Sequence, residues 1–133
     1  LEFLSLRKDD AVSLFKSGRH RLAAHRFKHI YEALGYIDDY RGIKGGEERN
    51  RRVAELKKAC LLNRALCLLK GRNFRSTLSA CDRILDEDPQ NSKALFRRSQ
   101  AFFGLSDYDH AVRDARAAVR LEPQNADVRR LLM

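Results

Sequence analysis

The sequence is poor in the residues that break helices and strands, with two prolines and seven glycines among its 133 residues, and it contains no tryptophan. So few prolines and glycines argue against a disordered or low-complexity chain. No apolar run approaches the ~20 residues that a membrane-spanning helix needs. The first residues, "LEFLSLRKDD", are amphipathic and unlike a secretory leader. We therefore expect one ordered domain over residues 1–133 and, because the chain begins with Leu1 rather than Met, a piece of a longer protein.

Cysteine is also scarce, and the three that are present, Cys60, Cys67 and Cys81, form no CxxC pair. An odd number of thiols in apolar, helix-forming surroundings is typical of small buried side chains in a reducing compartment. We therefore expect no metal or other cofactor, and a location in the cytoplasm or also in the nucleus.

Acidic residues are outnumbered, since 27 lysines and arginines face 18 aspartates and glutamates, for a net charge of +9. This excess favours an anionic partner, but it does not distinguish an acidic peptide from a nucleic acid or a membrane surface. A well-solvated basic surface without a partner is the plainer explanation of the same charge.

The clearest positive feature is a repeat of 34 residues. Residues 58–91 and 92–125 form two units, each with two helical patterns, a short turn and a closing Pro-Gln-Asn. In the second unit Ala111 and Ala118 let two helix backbones approach closely, while Leu95 and Phe102 fill the space between them. The asparagines that close the units, Asn91 and Asn125, are good N-caps for the helices that follow.

A less regular copy lies upstream, over about residues 4–37. Ala11 and Ala23 stand at its small-residue places, and its second helix is expected to run to about Tyr36. An insertion follows at about 38–57, in which Gly42, Gly45 and Gly46 predict a loop and a helical pattern resumes near Glu47. A last, capping helix is expected from residue 126.

This pattern resembles the tetratricopeptide repeat (TPR), a helix-turn-helix unit of 34 residues with small residues at its eighth and twentieth places and a closing proline. The chain departs from it by lacking tryptophan at the fourth place and by carrying Thr77 at the twentieth. The resemblance implies an all-α fold: three repeats and a truncated capping helix, wound into a right-handed superhelix whose first helices line a concave groove.

Four basic or amide residues match the carboxylate clamp of co-chaperone TPR domains. In that family a Lys and an Asn on the first inner helix, an Asn on the second and a Lys-x-x-x-Arg pair on the third hold a C-terminal peptide. Lys8, Asn63, Lys93 and Arg97 occupy four of these five places, and Val12 stands where the first asparagine is expected. The resemblance implies binding of the EEVD tail of the 70- and 90-kDa heat-shock chaperones.

Three further residues are predicted to make secondary contacts in the groove: Val12, Phe15 and Lys70. Phe15 is equally compatible with the repeat core. The insertion between the first and second repeats resembles the TPR region of large immunophilins of the FK506-binding-protein and cyclophilin types, and of the aryl-hydrocarbon-receptor-interacting protein. In the immunophilins a prolyl isomerase domain precedes the repeats.

Other functions are left open or disfavoured by the residues. A TPR scaffold for a different peptide or protein is one alternative. Nucleic-acid binding is another, from the basic stretches "RGIKGGEERNRRVAELKKA" and "KGRNFR", although the aromatic residues fall at repeat-core places rather than on a stacking surface. His25 and His29 have the spacing of a helical metal pair without a further ligand nearby. "GIKGGEER" lacks the spacing of a phosphate loop. The sequence contains no pattern that resembles a nucleophile-base pair, so we do not expect an enzyme within these residues.

Overall fold

The computed structural model describes residues 2–41 and 46–130, and within these ranges the chain is entirely helical, without strands. The prediction of an all-α fold is confirmed. Consecutive helices contact each other, and α3 also contacts both α1 and α5. The helices are α1 (Glu2–Lys16), α2 (His20–Arg41), α3 (Glu47–Lys70), α4 (Phe74–Glu87), α5 (Ser92–Gly104), α6 (Tyr108–Leu121) and α7 (Ala126–Arg130).

The turns that end α1, α3 and α5 share one backbone conformation. A residue with positive φ follows each helix: Gly18 at 88°, Arg72 at 61° and Ser106 at 61°. The next N–H then donates to a carbonyl five residues earlier at 2.8–2.9 Å. This left-handed closure reverses the chain sharply, so each first helix is followed directly by its partner. Glycine adopts such a φ without strain, whereas Arg72 and Ser106 are held there by the turn.

Small residues lie where the paired helices meet. The eighth and twentieth places of each predicted repeat are fully buried, with 0% of each residue exposed. They are Ala11, Ala65, Ser99, Ala23, Thr77 and Ala111. A larger side chain at these places would push the helices apart, because protein interiors are close-packed.

The core forms two main clusters along the chain. The first joins α1, α2 and α3 around Phe27, Leu34 and Cys60. The second joins the later helices and includes Leu95 of α5 and Val128 of α7. Val128 is 2% exposed, so the short α7 covers apolar surface of the last helix pair, as a capping helix does.

The residues added between the first two helix pairs are largely helical. α2 continues to Arg41, beyond the end expected near Tyr36, and α3 begins at Glu47, within the predicted insertion 38–57. Val53, in the early part of α3, lies in the same core cluster as Leu34 of α2, so apolar contact supports the early start of α3. Gly42 and Gly45 of the predicted loop lie outside the described residues. The division into repeats at 4–37, 58–91 and 92–125 stays a prediction.

One close contact joins α4 to the end of α5. An ideal Cβ built on Gly104 would lie 2.4 Å from the ring of Phe74, far inside van der Waals contact. The ring therefore occupies the space that any side chain at 104 would need.

A charged network joins α4, α5 and α6. The Arg98 guanidinium donates to both carboxylate oxygens of Asp114, with Nε–Oδ2 at 2.7 Å and Nη2–Oδ1 at 2.9 Å. Its Nη1 donates to Oδ1 of Asp82 at 3.0 Å. Hydrogen bonding to Asp114 raises the pKa of Arg98. The Asp114 side chain is 2% exposed and that of Asp82 is 58% exposed, so the Asp114 half of the network is the buried half.

We expect Asp114→Ala to lower the free energy of unfolding by about 3 kcal/mol, because it removes the buried partner of Arg98 and leaves only the exposed Asp82 to compensate the charge. The matched control is Asp82→Ala, which removes the exposed carboxylate and should cost below ~1 kcal/mol. Urea unfolding followed by circular dichroism measures both, and equal losses would contradict this ranking.

Candidate peptide-binding site

The four predicted clamp residues lie on three helices that are in contact. Lys8 is on α1, Asn63 on α3, and Lys93 and Arg97 are one turn apart on α5. Because α3 contacts both α1 and α5, residues far apart in sequence are brought onto adjacent helices. Positively charged groups thus lie on the helices to either side of the Asn63 amide.

Arg97 is anchored to α3 beside Asn63. Its Nη1 donates to the backbone carbonyl of Leu62 at 2.9 Å, and the residue is half-buried. Burial lowers the pKa of Arg97, as expected for a cation moved partly out of water. A guanidinium has five N–H donors and this bond uses one, so donors remain for an anionic ligand.

Two buried thiols, Cys67 and Cys81, lie close enough to Arg97 for its charge to affect them. Both are confirmed as buried, as is Cys60 nearer to Lys8. Burial raises the pKa of Cys67 to about 11 and that of Cys81 to about 12, against the opposing effect of the Arg97 charge. Burial likewise raises the pKa of Cys60 to about 11. All three thiols are therefore neutral and shielded near pH 7.

Lys93 is exposed and faces one carboxylate of its own chain. Glu122 accepts from Ser92 Oγ at 2.6 Å and from Asn125 Nδ2 at 3.0 Å. These two bonds, followed by the charge of Lys93, lower the pKa of Glu122. Glu122 is thus fixed by its neighbours, and Lys93 remains accessible to an added anion.

Lys8 lines a small cavity of about 290 Å³ between α1 and α3, together with Arg52 and Glu55. Neither Arg52 nor Glu55 was selected from the sequence. Arg52 lies 11 residues before Asn63, three helical turns away on a similar face, so spacing along the extended α3 could have found it. Glu55 adds a negative charge beside Lys8 that a carboxylate ligand must compete with.

The remaining predicted residues have distinct surroundings. Asn63 is half-buried, and its amide forms no hydrogen bond with the described residues. Val12 and Phe15 are half-buried and pack against the first core cluster, and the Phe15 ring lies 5.0 Å from that of His20. Lys70 is exposed in the last turn of α3, two turns beyond Asn63. Contact of Val12, Phe15 and Lys70 with a ligand stays a prediction.

The histidine pair lies away from this site, on α2. The Nε2 atoms of His25 and His29 are 2.9 Å apart. Over residues 2–41 and 46–130 no group of three or more histidine, cysteine or carboxylate side chains is arranged to hold a metal ion. Within the same ranges, every helix is too short or too polar to cross a membrane.

Solved structures identify the fold. The TPR domain of Arabidopsis OM64 aligns with a TM-score of 0.76 and 21% identity, over 98% of this chain and 92% of that one. The first TPR of RPAP3 was solved bound to the HSP90 peptide SRMEEVD. It aligns with a TM-score of 0.73 and 21% identity, over 97% of this chain and 90% of that one. The chain has the tetratricopeptide-repeat fold. No family model matches it.

This TPR domain resembles the TPR-containing part of immunophilins. A multi-domain immunophilin from Arabidopsis thaliana aligns with a TM-score of 0.76 and 32% identity, over 86% of this chain and 43% of that one. The mouse peptidyl-prolyl cis-trans isomerase FKBP4 is 32% identical over 125 residues, which are 94% of this chain and 26% of the relative. FKBP42 of Arabidopsis thaliana is 33% identical over 126 residues, which are 95% of this chain and 34% of the relative. The chain therefore spans between 26% and 43% of the length of these three proteins.

The three buried thiols predict how the free energy of unfolding depends on pH. Because the folded pKa values lie above the ordinary value of 9.0, unfolded thiols ionise first, and the free energy of unfolding should fall between pH 9 and about 11. We expect a loss on the order of 1 kcal/mol per thiol by pH 10. Urea unfolding at pH 8 and pH 10 measures it. Replacing all three cysteines by alanine should flatten this part of the profile; an unchanged slope would assign it to other groups.

Proposed function

We propose that this TPR domain binds the acidic C-terminal peptide of heat-shock chaperones through a carboxylate clamp of Lys8, Asn63, Lys93 and Arg97. The observation that carries the proposal is the placement of these residues on α1, α3 and α5, with Arg97 bonded to α3 at Leu62. The RPAP3 domain that shares this fold was solved with a peptide ending in EEVD, which supports the ligand class.

The chemistry of such a peptide suits the proposed residues. A C-terminal aspartate carries two carboxylates within a few ångströms of each other. Lys8 and Asn63 can donate to one, and Lys93 and Arg97 to the other, with charge-assisted hydrogen bonds of roughly 1.5–3 kcal/mol each. The bond from Arg97 to α3 restricts this long side chain before the ligand arrives, so binding loses less side-chain entropy.

The relatives suggest where such a domain acts. We propose that it is the chaperone-binding part of an immunophilin-type co-chaperone in the cytoplasm, where its three free thiols stay reduced. The isomerase names belong to relatives of which this domain spans 26–34%, and no residue described above forms a catalytic pair. We therefore assign binding, and not catalysis, to this domain.

A peptide ending in free EEVD should bind, and the same peptide with an amidated C-terminus should not, because amidation removes one of the two clamped carboxylates. Lys93→Ala or Arg97→Ala should each cost about 2 kcal/mol, roughly a 30-fold weaker Kd. Isothermal titration calorimetry measures these affinities, and Arg116→Ala on the exposed face of α6 is the control of equal charge change.

Two results would overturn this function. One is equal binding of the free and amidated peptides, or of neither. The other is binding of an RNA oligomer with a steep salt dependence that survives both substitutions, since that pattern belongs to a diffuse phosphate-binding surface.

Val12 offers a gain-of-function test. Val12→Asn restores the amide expected at this place and should tighten peptide binding about tenfold, the value of one added hydrogen bond of ~1.4 kcal/mol. Because Val12 packs against the first core cluster, thermal unfolding of each variant is measured alongside. Val12→Ala removes the same methyl groups without adding a donor and should give no gain. An equal effect of both substitutions would show that the amide itself contributes nothing.

A further inference from the structure

Two arginines at the same place in successive repeats have opposite surroundings. Arg64 on α3 and Arg98 on α5 are 34 residues apart. Arg98 is held by Asp114 and Asp82. Arg64 is equally placed, but the residues that correspond to those two aspartates differ in the earlier repeats.

The corresponding residues follow from the repeat. Ala80 stands 34 residues before Asp114. Lys28 stands 54 residues before Asp82, the same separation as between the turn residues Gly18 and Arg72. One carboxylate is thus replaced by a methyl group and the other by a second cation.

Among the described residues, Arg64 is consequently a half-buried cation without a direct partner. It forms no hydrogen bond or ion pair with the described residues. Burial lowers its pKa, the charge of Arg83 lowers it further, and the carboxylate of Glu32 opposes both effects from a distance. A cation placed in this way is stabilised by any anion that reaches it.

A cavity of about 780 Å³ opens beside Arg64, between α2 and the C-terminal half of α3. Its volume lies in the range of small-molecule sites, roughly 300–1,000 Å³. Among the described residues that line it none is acidic, and four carry a permanent positive charge: Arg19, Arg21, Lys28 and Arg64. His25 is a fifth basic side chain on its wall.

We propose that this cavity binds a small anion carrying two or more phosphate groups. Several cations around one compact space match the charge density of linked phosphates, and the guanidinium forks of its arginines match phosphate oxygens bidentately. α2, the C-terminal half of α3 and the turn before α4 line the cavity, and none of the four proposed clamp residues is among its lining residues. The substitutions that test this cavity are therefore at residues other than the four of the proposed clamp.

Sodium tripolyphosphate is the probe, titrated into the chain by calorimetry at about 0.15 M ionic strength, where diffuse surface attraction is screened. Lys28→Asp and Arg64→Gln should each weaken binding at least about tenfold. Arg116→Asp makes the same charge change as Lys28→Asp on an exposed part of α6 and should leave the affinity unchanged. Absence of binding, or an equal loss with Arg116→Asp, would overturn the proposal.

A second variant rebuilds the missing network. Lys28→Asp combined with Ala80→Asp gives Arg64 the two carboxylates that Arg98 has, so it should abolish tripolyphosphate binding while Arg64 itself is retained. If the carboxylate introduced at the buried position 80 prevents folding, which thermal unfolding reports, Arg64→Gln decides the question. Undiminished binding by either folded variant would contradict the site.

The source of the phosphates is distinguished in the same experiment. Vesicles containing phosphatidylinositol bisphosphate and free tripolyphosphate are compared. If vesicles and tripolyphosphate compete, and Lys28→Asp weakens binding of both, the cavity binds a lipid headgroup as well as free anions. If only tripolyphosphate binds, the cavity is assigned to free anions. Binding of an acidic peptide at Arg64 without any binding of tripolyphosphate would refute a phosphate site.

Discussion

The structure depends on how closely two helices can approach at a buried small residue. Ala11, Ala65 and Ser99 occupy the same place on α1, α3 and α5, each with 0% exposure. Because no long side chain stands between the paired helices, each pair is thin and successive pairs pack on one another. That spacing sets α3 between α1 and α5, and therefore decides which side chains can share a ligand. These small, uncharged residues thus determine where the charged residues of the proposed clamp lie.

Much of this could be predicted from the sequence, because it depends on spacing along the chain. The repeat of 34 residues places Asn63 and Arg97 at equal positions before any coordinates are known. The predicted N-caps are confirmed: Asn91 Oδ1 accepts from the Ala94 N–H at 3.0 Å, and Asn125 Oδ1 accepts from the Val128 N–H at 3.3 Å. Caps and helix pairs are local features, so local residue types suffice to specify them.

What escaped prediction depends on contacts between distant residues. The second helix was expected to end near Tyr36, ahead of the glycines of the insertion, yet α2 reaches Arg41. The bond from Arg97 to the Leu62 carbonyl is invisible in a pattern of residue types. Arg64 was not selected from the sequence, because its difference from Arg98 lies in two residues on other helices.

The contact of Gly104 with the Phe74 ring constrains how this sequence can diverge. Glycine within a helix costs roughly 1 kcal/mol relative to alanine, so it persists only where something else requires it. Here the ring, nearest 2.4 Å from an ideal Cβ, is that requirement. A side chain at 104 requires either that the Phe74 ring move away or that residue 74 be smaller. The effects of substitutions at 74 and 104 are therefore expected to depend on each other.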